Sequence, residues 1–263
     1  MDRHANTPLM WGILAAVVAF LYVPISVLMA LSFNDSGLPT VWRGISLRWY
    51  GALWHNADIL SAAGNTLIVA LISTAIATVL GTLLALGVEQ RRRRGRALEA
   101  LIFAPMIIPD IVLAIALLSF FSLTGVTMGL HTIIMAHVVF NLAFVCAVVR
   151  ARLKSFDWSI VEASSDLGAS GFTTLRRVVL PVLMPAVISG ALLAFTLSVD
   201  EFIIAFFTAG AGRASTTLPM QIFAMIRFGV TPEINALAAL VMAVSLIALT
   251  LAQRLNRGGV TAP

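Results

Sequence analysis

Apolar residues run along this chain in long blocks, near 9–33, 64–88, 98–123, 130–150, 183–209 and 234–253. An α-helix needs roughly 20 such residues to cross a hydrocarbon core of about 30 Å, so the pattern predicts an all-α bundle of six transmembrane helices. The second and last blocks are the cleanest. The third is interrupted by Pro105, Pro109 and Asp110 and is expected to kink or unwind after Pro109. The fifth carries Asp200 and Glu201 toward its end. The first exceeds the 7–15 apolar residues of a signal-peptide core, with only Arg3 and His4 as positive charge before it, and reads as a retained helix.

Composition agrees and removes the alternatives. The 263 residues are 60% hydrophobic and 11% charged, against about 45–50% and about 25% in soluble domains. So few charges cannot cover a soluble globule, and disorder, a disulfide scaffold and a fibrous repeat are excluded by the same figures. A length that would suggest two soluble domains is read instead as a single transmembrane domain, 1–263. Cys146, the single cysteine, has no intramolecular partner and reads as a small buried hydrophobe.

The basic residues set the orientation. With six spans, one side holds both termini together with Arg3, Arg91, Arg92, Arg93, Arg94, Arg96, Arg150, Arg152, Lys154, Arg176, Arg177, Arg254 and Arg257. The other holds only Arg43, Arg48, Arg213 and Arg227, a split of 13 against 4. The positive-inside rule makes the termini cytoplasmic. It also explains the net charge of +5 without nucleic acid. The run Arg91–Arg94 reads as a topology determinant touching anionic membrane lipid. Residues 34–63, 124–129 and 210–233 then lie outside, and 89–97 and 151–182 inside. Trp42, Trp49, Tyr50 and Trp54 in the first outer loop suit an interfacial segment at headgroup depth, or a surface for an external partner.

No catalytic constellation is present. The only lysine, Lys154, lacks the glycine pattern of a phosphate loop, so the chain carries no nucleotide-hydrolysing site of that type. The histidines are scattered; His131 and His137, six apart, point to different faces of a helix. Neither a catalytic residue nor a metal ligand set is expected.

The inner connection 158–181 is more informative. Ile160, Val161, Ala163, Ser164 and Leu167 place an apolar or small stripe on one face of a first short helix. Gly168 permits a left-handed turn that ends it. Phe172, Leu175, Val178 and Val179 repeat the spacing in a second helix, and Pro181 and Pro185 punctuate entry into the fifth span. This predicts a cytoplasmic helix–turn–helix with more apolar surface than a solvated loop needs, either a docking site or a pair lying on the bilayer.

Glu162-Ala163-Ser164, Gly168 and Leu180-Pro181 resemble the EAA motif of membrane-spanning (permease) subunits of bacterial ABC-type importers, with Ser164 where the family usually has alanine. The stretch Ser198-Val199-Asp200-Glu201-Phe202, the run from Thr217 to Phe223 and Ser46-Leu47-Arg48-Trp49-Tyr50 are similar to the polyamine branch. Within that branch the chain looks like the C-type permease subunit of spermidine/putrescine transporters. The resemblance implies a MetI-like ABC importer permease fold in the bacterial inner membrane. It implies that Glu162, Ala163, Ser164, Asp166, Gly168, Leu180 and Pro181 form the coupling element, docked in a groove of a partner ATPase. It also implies partners: a second permease subunit completing a heterodimer, two ATPase copies that bind the ATP and Mg, and an external solute-binding protein. No cofactor is then expected in this chain.

Asp110, Asp200 and Glu201 are the acids expected within the hydrocarbon layer. Each costs roughly 2.5–3.5 kcal/mol at mid-bilayer even on a lenient scale, so such residues usually face a pathway or a partner. On straight helices Asp110 sits about 18 Å and Asp200 about 25 Å from the inner side, and Ser198 shares a face with Glu201. Three acids and no base within a span favour a cationic organic solute, with Ser198 and Phe202 also placed on its path. The acids could instead cap a neighbouring helix or bond Asn141. Open alternatives are an ATP-driven importer for an amino acid, opine or aminophosphonate, and a secondary transporter or channel.

Overall fold

The structure, a computed structural model, describes residues 7–38, 41–90, 96–227, 229 and 231–257. Arg3 and Arg91–Arg94, read above as topology determinants, lie outside the described residues. Twelve α-helices follow in order among those described: α1 Thr7–Leu31, α2 Arg48–His55, α3 Ala57–Gln90, α4 Arg96–Ile107, α5 Asp110–Leu123, α6 Leu130–Leu153, α7 Ser159–Asp166, α8 Gly171–Thr174, α9 Leu180–Asp200, α10 Ile203–Thr208, α11 Leu218–Arg227 and α12 Pro232–Arg257. The all-α expectation is met. Four helical stretches are long and apolar enough to cross a membrane: Leu9–Leu31, Ala57–Glu89, Leu130–Leu153 and Gly171–Asp200. The pair α4 and α5 makes a fifth if taken together, and the block 234–253 falls in α12, whose shorter apolar part is Pro232–Leu246.

Three boundaries differ from the apolar blocks. The helix expected over 64–88 is longer, because Asn56 starts it early. Its Oδ1 accepts from the backbone N–H of Asp58 at 3.1 Å and of Ile59 at 3.3 Å, satisfying donors that a helix start leaves open. The third block is not one rod: its axis turns by 113° between Ile107 and Asp110. Pro109 has no N–H to donate and disfavours helical backbone at Ile108. The depth of about 18 Å assigned to Asp110 on a straight helix therefore does not hold. The fifth block begins earlier and ends earlier, running as one helix from Gly171 to Asp200.

The chain divides into two units, each with its own packing. In the first, residues up to 60 and from 222 onward, α12 packs against both α1 and α2. Between α1 and α2 the chain is ordered around Asn34. Its Nδ2 donates to the Val41 carbonyl at 2.8 Å, its Oδ1 accepts from Arg43 N–H at 3.0 Å, and its own carbonyl accepts from Trp49 Nε1 at 2.9 Å. Trp42 on this segment and Trp54 in α2 are exposed.

In the second unit, 61–221, α6 is the helix most enclosed by its neighbours. Ile133, Ala136, Val145, Cys146 and Val149 along it are fully buried. Close approach of its neighbours is set by glycine. A Cβ on Gly81 of α3 would fall 2.8 Å from Val145 Cβ, and one on Gly190 of α9 would fall 3.4 Å from Val145 Cγ1. Small residues at such crossings let backbones pack where burial from water supplies no drive.

One ion cluster ties three helix ends together. Arg150 near the end of α6 donates through Nη1 and Nη2 to the two oxygens of Glu99 in α4, and its Nε lies 3.7 Å from Glu89 at the end of α3. Arg150, assigned above only a topological role, thus also joins helices. Arg150→Met takes a shared partner from two carboxylates, Glu89 being nearly buried. Glu99 is part-exposed and both carboxylates keep further interactions, so the loss falls below the cost of breaking an isolated buried pair. The purified variant is expected to melt at a clearly lower temperature, with Arg150→Lys intermediate; an unchanged melting curve would show the cluster to be dispensable.

Candidate functional site

The connection between α6 and α9 is a helix–turn–helix built from local chemistry. Asp157 Oδ1 accepts from Ser159 N–H at 3.0 Å at the start of α7; hydrogen bonding to Ser159 holds its carboxyl below the usual carboxylate range. The other end of α7 is closed by paired reverse bonds, Gly168 N–H to Ser165 O at 2.9 Å and Ala169 N–H to Ser164 O at 3.1 Å. That closure needs a left-handed residue after the cap, and Gly168 has φ +78°. Ser170 then caps α8, its Oγ accepting from Thr173 N–H at 3.3 Å.

The apolar stripe expected on α7 divides in two. Ile160 and Val161 pack against the core formed by Leu153, Phe156 and Val179, and Ser164 Oγ shares a hydrogen bond of 2.9 Å with Thr174 Oγ1. Serine at the third motif position thus pins α7 to α8. Ala163 and Leu167 point the other way; Leu167 is 89% exposed and Phe172 73% exposed. Glu162, Asp166 and Gly168 are exposed on the same element.

From this loop α8 runs without interruption into the fifth span. Leu175–Val179 forms a π turn, with Leu180 N–H bonding to the carbonyl of Leu175. Its cause is Pro181, which lacks an N–H and would crowd the carbonyl four residues before it. Leu180 and Pro181 therefore do not separate a loop from a span. They mark the wound-out turn inside one rod of 30 residues, Gly171–Asp200, about 45 Å long.

The rod ends at the acids. Asp200 is its last residue, and Glu201 leaves the helix with φ −67° and ψ 112°. Ser198 and Glu201 therefore do not share a helical face, because Glu201 is not helical. Its Oε1 accepts from Ile204 N–H at 2.8 Å and so caps the short α10. Asp200 is exposed and Asp110 half-buried. Asp110, at the start of α5, lies within Coulombic reach of Glu201, as does Asp200. The three are brought together because α10 packs on α5 through Ala114, Phe121 and Ile204. At the other end of α10 the Thr208 carbonyl accepts from Thr132 Oγ1 at 2.6 Å. The ring of Phe202 lies 5.4 Å from that of Phe206, tilted by 40° to it, and Phe206 is exposed.

Ser198 is placed differently from the acids. It is 2% exposed, and its Oγ shares hydrogen bonds with His137 Nδ1 at 2.7 Å and Ser73 Oγ at 3.2 Å. A bond between helices is one of the roles a polar Ser198 inside a span can take; its partners, Ser73 of α3 and His137 of α6, are not marked in the sequence.

Residues 77–258 match the family described as binding-protein-dependent transport system inner membrane component. The spermidine/putrescine transport system permease protein PotC of Escherichia coli (strain K12) is 40% identical over 247 residues, 94% of this chain and 93% of that protein. The putrescine transport system permease protein PotI of the same strain is 42% identical over 242 residues, 88% and 85% of the two. Among solved structures, a bacterial alginate ABC transporter in complex with a pentasaccharide-bound periplasmic protein matches with a TM-score of 0.75 and 17% identity over 98% of this chain and 96% of that one.

Proposed function

The chain belongs to the family of binding-protein-dependent transport system inner membrane components, and from that premise we propose that it forms half of an ATP-driven import pathway for a polyamine. The observation that carries the solute class is that Asp110 and Asp200 each lie within Coulombic reach of Glu201, where α9 breaks. An extended polyammonium ion matches such a group. Its charges can be met by carboxylates while its methylenes pass exposed aromatic surface such as Phe206. The naming of PotC and PotI for spermidine and putrescine supports the same class.

The chain works by alternating access with partners. A second permease completes the pathway, two ATPase subunits supply the energy, and an external binding protein delivers solute. The exposed Leu167 and Phe172 flank the Gly168 turn and offer an ATPase groove its apolar anchors. Both termini and the α7–α8 loop lie on the cytoplasmic side, as the basic residues require.

The test is reconstitution of the complex with its partner subunits in lipid discs or vesicles. Putrescine or spermidine, presented with the binding protein, is expected to stimulate hydrolysis and to enter vesicles only with ATP. Stimulation by amino acids or anionic solutes with none by polyamines would overturn the solute class. Uptake without ATPase subunits would overturn the importer reading.

A further inference from the structure

Beneath the acids lies a buried polar link. Ser73 of α3, His137 of α6 and Ser198 of α9 are 0%, 1% and 2% exposed, and Ser198 Oγ bonds to both of the others. One turn along α6, Asn141 is fully buried, and both of its amide atoms lack a hydrogen-bond partner in the structure; so does His137 Nε2. Polar groups held this way are destabilising, and helix packing alone is served as well by leucine or valine. A second use is therefore required of them. Ser198 stands two residues before the end of the rod that starts at Gly171, and Glu201 begins the turn beyond it.

We propose that His137 is a positioning residue: through Ser198 it holds the last turn of α9, and with it the Asp200–Glu201 break, where solute meets the acids. Ser198 is then a link between helices and not a solute contact. The rod has the α7–α8 loop at one end and this hold at the other, so a pull on the loop is resisted, and read out, at the acids. The partnerless atoms of His137 and Asn141 give α9 other groups to bond when it shifts along α6, which makes the hold exchangeable.

This rests on the transport reading, so the test has one arm that needs transport and one that does not. An asparagine amide overlies imidazole Nδ1, whereas a glutamine amide overlies Nε2. In the reconstituted complex His137→Asn is expected to keep most of the polyamine uptake rate. His137→Gln and His137→Leu are expected to lose at least about five-fold in rate, the scale of one buried hydrogen bond, with little change in the polyamine concentration giving half-maximal uptake. Equal behaviour of all three variants would overturn the proposal. The second arm records nitrogen-15 spectra of the histidine-labelled protein in lipid discs, where Ser198→Ala is expected to move the Nδ1 resonance of His137. An unmoved resonance overturns the proposal whatever the chain transports. Absence of uptake by the wild-type complex, with the resonance shift intact, would sink only the transport reading.

Discussion

A Gly168→Val variant is expected to assemble with its ATPase partner and hydrolyse ATP while moving far less solute per ATP consumed. Gly168 holds φ +78° and closes α7 through two reverse hydrogen bonds. A β-branched residue in that conformation costs about 1–3 kcal/mol of strain, which biases the turn by about five- to 150-fold. Collision within the chain is not the cause, since a Cβ at Gly168 meets nothing within 4 Å. The loop instead loses the shape that aims Leu167 and Phe172. Asparagine tolerates left-handed backbone, so the expected order of transport per ATP is Gly168, then Gly168→Asn, Gly168→Ala and Gly168→Val. The measurement is uptake and phosphate release on the same vesicles. A valine variant with wild-type stoichiometry would remove the turn from the coupling path.

What could be read from the sequence was what depends on near neighbours along the chain. Each apolar block is mainly helical, and Gly168 ends its helix as expected, because a Schellman closure involves only residues 164–169. What could not be read depends on contacts far apart in sequence. Pro109 announces a bend, but a turn of 113° also reflects α5 seated on α10. The split of the α7 stripe follows from Val179 and Leu153, which take Ile160 and Val161 and leave Leu167 outside. Asp200 and Glu201 look like helical neighbours until a carboxylate turns back to cap the next helix. The Ser73–His137–Ser198 link joins three blocks, and no local rule pairs them.

The break at Glu201 supports the second large prediction, because there charge and structure can be separated. Glu201→Gln keeps an oxygen able to accept the Ile204 N–H and removes the charge; Glu201→Ala removes both. Losing a cap typically costs about 1 kcal/mol, and α10 is only six residues long, so the alanine variant is expected to lower thermal stability while glutamine leaves it nearly unchanged. If the carboxylate acts on a cationic solute, both variants reduce polyamine uptake by about ten-fold or more, the scale of one charge-assisted hydrogen bond at about 1.5–3 kcal/mol. Asp200→Asn, at an exposed carboxylate with no capping bond in the structure, is expected to slow uptake without any change in melting. Assembly of the complex and the external protein's affinity for polyamine should be unaltered in that variant. Uptake that follows melting temperature across the three would make these acids structural. Uptake that follows charge, with Glu201→Gln and Asp200→Asn both slow yet stable, assigns them to the path of the solute.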